Sequence, residues 1–417
     1  MPTLQSPENN FSSEIAEFAS SVDSLLNTFP DVSKTVSERT QKNTASFSNY
    51  LKLHGKKVSE SNGQTTYHLT SSHAAEARKL RQAADKSIKA AVLIQRGFLI
   101  TLISQYDAFL GRLIRLSLLS HPGRLNSSDR QISFKELLEM SSIDEAREAL
   151  IDREVDAVIR KSHDDQLDWL SKTYRISLDT HIEERADFVE IAQRRHLFVH
   201  CDGRVSAQYI AKCKAIGLAP SSGVSFGSQL EVTQEYLQQA FESVYAVGVK
   251  LGVVLWLKLH PDAAGAVNQC INELALPLIV AERYRLATNL LSFGLEQPRD
   301  GSNDKHHRYQ IMNLAQAYKW WGKPDECLAL LNKHDWSSCD GTIQLGLRCL
   351  HDSFADAVRI SKKLVHDETF SVDHYRQWPI FRAYINSEEF LAFFKESYGK
   401  DFAQEIAEGE SSAIAAT

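Results

Sequence analysis

The sequence predicts an all-α protein, and three observations carry that prediction. Across 417 residues there are only 19 glycines and 10 prolines, too few for the tight turns of an all-β chain and suited to long helices. Apolar residues recur at helical spacing in the first half of the chain, where Leu99, Leu102, Ile103, Tyr106, Phe109, Leu110, Leu113 and Ile114 form a stripe. Ser and Glu stand three residues apart where helices should begin. At 47.0 kDa the chain has room for more than one hydrophobic core.

Taken in order, residues 1–70 are rich in Ser, Asn and Thr and read as a polar N-terminal appendage. It should hold a short helix over Ser13–Asn27 and a small hairpin turning at Asn62-Gly63. From Ser71, with Ser71 and Ser72 as caps, one long helix or two in series should run to Ser120, stopped by Pro122. Ser133 and Glu136 form a capping box at the head of SFKELLEM, and Ser142 and Glu145 repeat it two residues into SSIDEAREALIDREVDAVIRK. DQLDWLSKTY and the run from Asp179 to His200 follow as helices. Thr233–His260 closes the set as a long apolar helix, so that 71–262 reads as one helical bundle. Pro261–Val267 marks a boundary. Beyond it, 263–405 reads as a second helical domain and 406–417 as a polar tail.

The formal net charge is −6, so no whole-protein positive field exists to hold nucleic acid, and any such site must be a local patch. The start MPTLQSPENNFSSEIAEF lacks the basic and apolar regions of a signal peptide. The most apolar stretch, Ala246–Leu259, is interrupted by Lys250 and Lys258 and is expected to be a buried helix, not a membrane span. The six cysteines form no C-x-x-C pair; Cys270, Cys327 and Cys349 have apolar neighbours and read as core. A cytoplasmic protein without membrane contact is the expectation.

In the second domain, NLAQAYKWWGKPDECLALLNKHDW places Ala315, Tyr318, Gly322, Lys323 and Glu326 at the offsets of a helix-turn-helix repeat. Similar outlines surround Ala287 and Ala357. Together these resemble degenerate tetratricopeptide units, whose period is about 34 residues, although Ala287, Cys327 and Ala357 are unevenly separated. Plain antiparallel helices are the alternative. Trp320 and Trp321 fit helix-pair packing or a stacking surface, and His306-His307, beside Lys305 and Arg308, fits a basic linker or an RNA contact.

The chemistry concentrates in DFVEIAQRRHLFVHCDGRVSAQYI, Asp187–Ile210. Arg194, Arg195, His196, His200 and Arg204 gather at the end of an otherwise apolar helix, and Gly203 suits the left-handed position that ends it. In the last turn the exposed carbonyls favour a protonated His200 imidazole. Burying these cations is costly without anions to answer them; a phosphate backbone would serve. Two readings follow. His196 and His200, four apart, share a helix face as in H-x-x-x-H metal sites, but Leu197 stands where the protease glutamate belongs and the arginines repel a cation. Alternatively, Arg195 and His200 act on a phosphodiester. Five residues separate them by about 140° on a regular helix, so the helix must distort or two copies must pool their residues.

Arg195–His200, R-H-L-F-V-H, resembles the R-x(4–6)-H motif of the HEPN superfamily of helical ribonucleases. Leu102–Leu118 and Ser133–Ile176 resemble the family's other helices in the same order, so the likeness covers about 90–260. It implies a HEPN-type bundle followed by tetratricopeptide-like repeats, and metal-independent endoribonuclease activity in a homodimer, with RNA as substrate and no cofactor. His200 would act as acid or base and Arg195 would hold the phosphate, with His196 as the adjoining polar residue. Arg194 and Arg204 are added as phosphate contacts on charge alone, and Asp107 as a group that orients His200 or Arg195. Members paired with a nucleotidyltransferase antitoxin carry a tyrosine where this chain has Asp202, so no such partner is expected. Antiviral defence or toxin-like growth arrest would suit the family, with a protein partner or trigger at the repeats. An inactive bundle used as a binding scaffold is the alternative from another class.

Overall fold

Helical periodicity becomes helices almost throughout. The computed structural model describes residues 7–61, 64–127, 131–218, 224–298, 304–366 and 370–405; the proposed Asn62-Gly63 turn and the 406–417 tail lie outside them. The chain divides into two compact units, Met1–Leu259 and His260–Thr417.

The first unit begins with a correction. The N-terminal segment is not an appendage: α1 runs Pro7–His54, 48 residues, and buries Phe11, Ile15, Phe18, Ala19, Val22, Leu26 and Phe29. These follow a three-and-four spacing that the polar residues between them obscure. An antiparallel hairpin, β1 (Lys56–Ser61) and β2 (Gln64–His68), leads into α2, a single helix over Ser71–Ser120. Its cap residue is Thr70, so Ser71 and Ser72 lie inside the first turn. Then come α3 (Phe134–Glu139), α4 (Ile143–Ile159) and α5 (His163–Tyr174). The Ser133–Glu136 capping box forms as predicted. At α4 the Ser142 hydroxyl accepts from the Glu145 amide, while the Glu145 carboxylate takes the Ser141 amide instead. The predicted run from Asp179 breaks into α6 (Leu178–His181) and α7 (Arg185–His200), followed by α8 (Ala207–Ala215) and α9 (Gln234–Leu259).

α9 is the bundle's apolar centre. Among the described residues, three helices are long and apolar enough, by length and composition, to cross a membrane; they span Ser71–Ser120, Gln234–Leu259 and Pro261–Val280, and the apolar stretch of α9 is 89% buried within the protein. Lys250 on α9, 3% exposed, donates to both carboxylate oxygens of Glu184 at 2.8 and 3.0 Å, which ties α9 to the head of α7. α1 packs against α9 and α2 because Gly248 and Gly252 remove side chains at the contact: a Cβ at 248 would fall inside the Phe18 ring, and one at 252 would lie 2.6 Å from Ile15.

The second unit is built from helical hairpins: α10 (Ala264–Val280) with α11 (Tyr284–Glu296), α12 (Asp304–Trp320) with α13 (Pro324–Leu331), and α14 (Gly341–Leu350) with α15 (Phe354–Leu364). Each turns on one left-handed residue, Glu282, Gly322 or Asp352. The next amide reaches back five residues: Arg283 to the Leu278 carbonyl, Lys323 to Tyr318 and Ser353 to Arg348, at 2.8–2.9 Å. Ala287, Cys327 and Ala357 each sit five residues past the left-handed position and are buried. Local geometry therefore repeats even though the turns stand 40 and 30 residues apart. His306 and His307 are no linker; they lie inside α12, and His307 is buried. Trp320 packs under the Arg382 guanidinium and Trp321 under the Lys323 ammonium. After α16 (Val372–Gln377), Pro379 opens the first of two 3-10 turns that precede α17 (Glu388–Tyr398), and an aromatic cluster including Tyr375, Phe381, Tyr384 and Phe390 fills the end.

Substituting Gly248→Ala should drive a methyl into Phe18 and cost about 1–3 kcal/mol, as overpacking does. The expected readout is a lower thermal midpoint together with faster proteolysis within α1, whereas Gly97→Ala, where a Cβ meets nothing within 4 Å, should not lower it.

Candidate active site at the end of α7

α7 keeps helical geometry through His200 and then stops within three residues. The Cys201 and Gly203 amides both donate to the Leu197 carbonyl, at 2.8 and 2.9 Å, and Asp202 and Gly203 adopt left-handed backbone at φ 50 and 78°. A Cβ at Gly203 would meet the Phe198 ring as well, so glycine is required on two counts. On the far side Arg204 pairs with Gln229 in an isolated antiparallel bridge. Its side chain is exposed and, among the described residues, carries no ion pair.

The two adjacent arginines have opposite fates. Arg194 is 8% exposed and is not a phosphate contact. Its Nε donates to Glu190 at 2.8 Å, one Nη reaches the Glu231 carbonyl at 3.1 Å, and the guanidinium lies 3.8 Å over the Tyr236 ring. The Tyr209 and Tyr236 hydroxyls also donate to Glu190, at 2.5 and 2.7 Å. Burial, with the Glu190 charge alongside, holds both phenols protonated well above their ordinary range. The anion expected from RNA is thus supplied by the protein. About 100° around the helix, Arg195 is half-buried and its Nη2 stands 3.4 Å from Asp107 on α2, a long contact. Its Nε is buried with no hydrogen-bond partner.

Of the two groups Asp107 is expected to orient, it meets Arg195 through this one contact. Its other oxygen takes the His163 Nε2 at 2.9 Å, and no hydrogen bond joins it to His200 among the described residues. His196 and His200 are exposed, with ring centroids 4.6 Å apart. Partial burial, then the neighbouring His200 and Arg195, holds the His196 imidazole below its usual pKa. Among the described residues no group of three His, Cys, Asp or Glu is placed to hold a metal.

Sequence reasoning missed two residues. His163 opens α5 and meets Asp107 across 56 residues of chain, which no local pattern signals. Arg96 on α2 donates to Asp202 at 2.7 Å and lies 4.9 Å over Phe198, bracing the end of α7. Its Nε, like that of Arg195, is buried and without a partner. The end of α7 therefore carries one partly exposed guanidinium, Arg195, with a single long contact, beside two exposed imidazoles, groups whose chemistry suits an oxyanion and proton exchange.

No family model matches this chain. Comparisons with curated proteins and with solved structures likewise return no match. The chemical reading stands on these residues and their geometry.

Two expectations separate the groups. Arg194→Ala strands Glu190 in the bundle and should cost roughly 3 kcal/mol, read as a lower thermal midpoint, while Arg195→Ala should cost under about 1 kcal/mol. The His196 Cε1–H resonance should titrate below 6.5 in the wild type. In His200→Ala its midpoint should move up toward 6.5, because removing a neighbouring cation favours the protonated ring.

Proposed function

We propose that the protein is a metal-independent endoribonuclease of HEPN type, acting as a homodimer, with tetratricopeptide-like repeats in its second unit. The observation that carries this reading is Arg195: a guanidinium whose side chain is 26% exposed, with one long contact to Asp107, beside the exposed imidazoles of His196 and His200. Such a group is suited to a phosphate oxygen. Because α7 is regular between Arg195 and His200, one copy does not aim both at one atom, and the site calls for a second. Val199 beside His200, and Val92 and Leu93 one turn before Arg96, are exposed apolar side chains that a partner copy would cover.

In this reading an imidazole takes the proton of a ribose 2′-hydroxyl as its oxygen attacks the adjacent phosphorus. The bond to the 5′-oxygen breaks, and a second imidazole donates that oxygen its proton. A 2′,3′-cyclic phosphate and a 5′-hydroxyl remain. Arg195 holds the non-bridging oxygens as charge builds on them. His200, in the open last turn, is assigned to proton transfer; His196 supports it. Cutting cellular RNA would fit antiviral defence or growth arrest, with the repeats receiving a trigger. The engagement of Arg195 by Asp107 favours one other reading, a non-catalytic scaffold in which this contact is structural.

Purified protein is expected to cut labelled total RNA in excess EDTA, leaving 2′,3′-cyclic ends. His200→Ala and Arg195→Ala should each lower the rate by at least about 100-fold. Equal cutting by wild type and His200→Ala would remove His200 from the mechanism, and expression without growth inhibition or RNA loss would favour the scaffold.

A further inference from the structure

The site at the end of α7 offers few cations to hold a polyanion, since Arg194 is already neutralised. The missing charge lies elsewhere in the same unit. Residues 31–90 contain eleven Lys and Arg against five Asp and Glu, while the rest of the chain contains 36 against 48. A segment of +6 is thus built into a protein whose remainder is −12.

Its structure separates it from the core. After Phe29 no further α1 side chain is buried, and α2 buries only Ala77, Ala84 and Ser87 before Leu99. The second half of α1 and the first half of α2 therefore pack mainly on each other, as a two-helix arm about 36 Å long. Thr40 Oγ1 donates to the Ser87 carbonyl at 3.3 Å and Tyr50 bonds His73 at 3.0 Å along the seam. Such an arm contributes little apolar burial to stability.

Most of these cations are not spent on neighbours. Lys57 pairs with Glu60, and Lys79 and Arg81 make long contacts to Glu76 and Asp85 at 3.5 and 3.7 Å. The other eight carry no ion pair among the described residues. A groove of about 550 Å³ follows the seam, lined by Arg39 and Asn43 from α1 and by Lys79, Gln82 and Lys86 from α2. Arg78, Gln82, Lys86 and Lys89 fall at i, i+4, i+8 and i+11 on one face of α2, a rise of about 16 Å. Cations mixed with amide donors along a groove suit phosphate oxygens spaced along a strand. A lipid surface would instead ask for cations fringing a continuous apolar face; here Arg39, Lys79 and Lys86 line the groove itself, interspersed with Val36, Ala83, Ala90 and Ile94.

We infer that this arm is a nucleic-acid grip, binding the phosphate backbone of RNA without reading sequence and delivering it to the bundle. The inference rests on the RNA substrate proposed above, but its test is separate from cleavage. The probe is fluorescent 2′-O-methylated RNA of about 30 nucleotides, which lacks the attacking hydroxyl and survives any nuclease of this type; binding is followed by anisotropy from about 50 to 200 mM salt. The proteins are full-length wild type, Arg39→Gln/Lys79→Gln/Lys86→Gln, and Lys362→Gln/Lys363→Gln/Lys395→Gln as a charge-matched control. Circular dichroism and thermal midpoint check that each is folded.

Wild type and control should bind alike. The arm variant should bind at least about tenfold more weakly, with a log–log salt slope shallower by roughly 2, three contacts at about 0.7 each for single strands. Equal binding by the arm variant overturns the inference. So does wild type that ignores RNA, whether it binds phosphatidylserine vesicles, forms a salt-sensitive dimer through the arm, or does neither. The two proposals fail separately: arm-dependent binding without cutting of ordinary RNA leaves the grip and removes the nuclease, while cutting and binding that ignore the arm do the reverse.

Discussion

The close approach of α1 to α9 at Gly248 and Gly252 is the constraint on which the first unit depends. With no side chain at either position, Phe18 and Ile15 sit directly on the α9 backbone, and Phe18 stacks on Phe109 of α2 at 4.5 Å between centroids. Three helices thus share one dry contact, and the second half of α2 is held in the bundle. That placement matters for chemistry because α2 carries both Asp107 and Arg96 to α7. A long rigid helix fixes the spacing between the two contacts, so the end of α7 is clamped at two points about 16 Å apart along α2.

Around that clamp, charge is divided by depth. Arg194, Glu190, Tyr209 and Tyr236 form a closed network whose donors and acceptors answer one another, as a buried charge demands. Lys250 and Glu184 do the same at the other end of α7. Arg195 and Arg96 differ: each has one engaged Nη and one buried, unpartnered Nε. A guanidinium nitrogen left unsatisfied in a well-packed bundle costs stability.

Much of the helical content was legible, with α2, α4, α5, α9 and the α12–α13 turn announced by periodicity, capping pairs and glycine. The N-terminal segment was not. Polar residues fill most exposed positions of α1, and a composition average hides the seven apolar positions that make its buried stripe. The prediction for 179–200 joined two helices because the break at Ile182–Glu184 contains no proline or glycine. In the second unit, uneven spacing argued against repetition, but identical left-handed turns at Glu282, Gly322 and Asp352 show that geometry can recur while period drifts.

What the sequence by itself determined is the set of local outcomes: which stretches coil, where Gly203 ends α7, and that Arg195 and His200 project from different faces. These follow from backbone propensity and a fixed rotation per residue, which need no partner. Only the tertiary structure decided which charge is spent and which is free. Arg194 and Arg195 are indistinguishable as neighbours in a chain, yet one turns inward to Glu190 and the other sideways to Asp107, because 100° of helix separates a buried face from an open one. Glu190 stands one helical turn from Arg194, but the Glu231 carbonyl and the Tyr236 ring that complete its setting, and the Asp107 that meets Arg195, come from tens of positions away, and only packing brings them within reach.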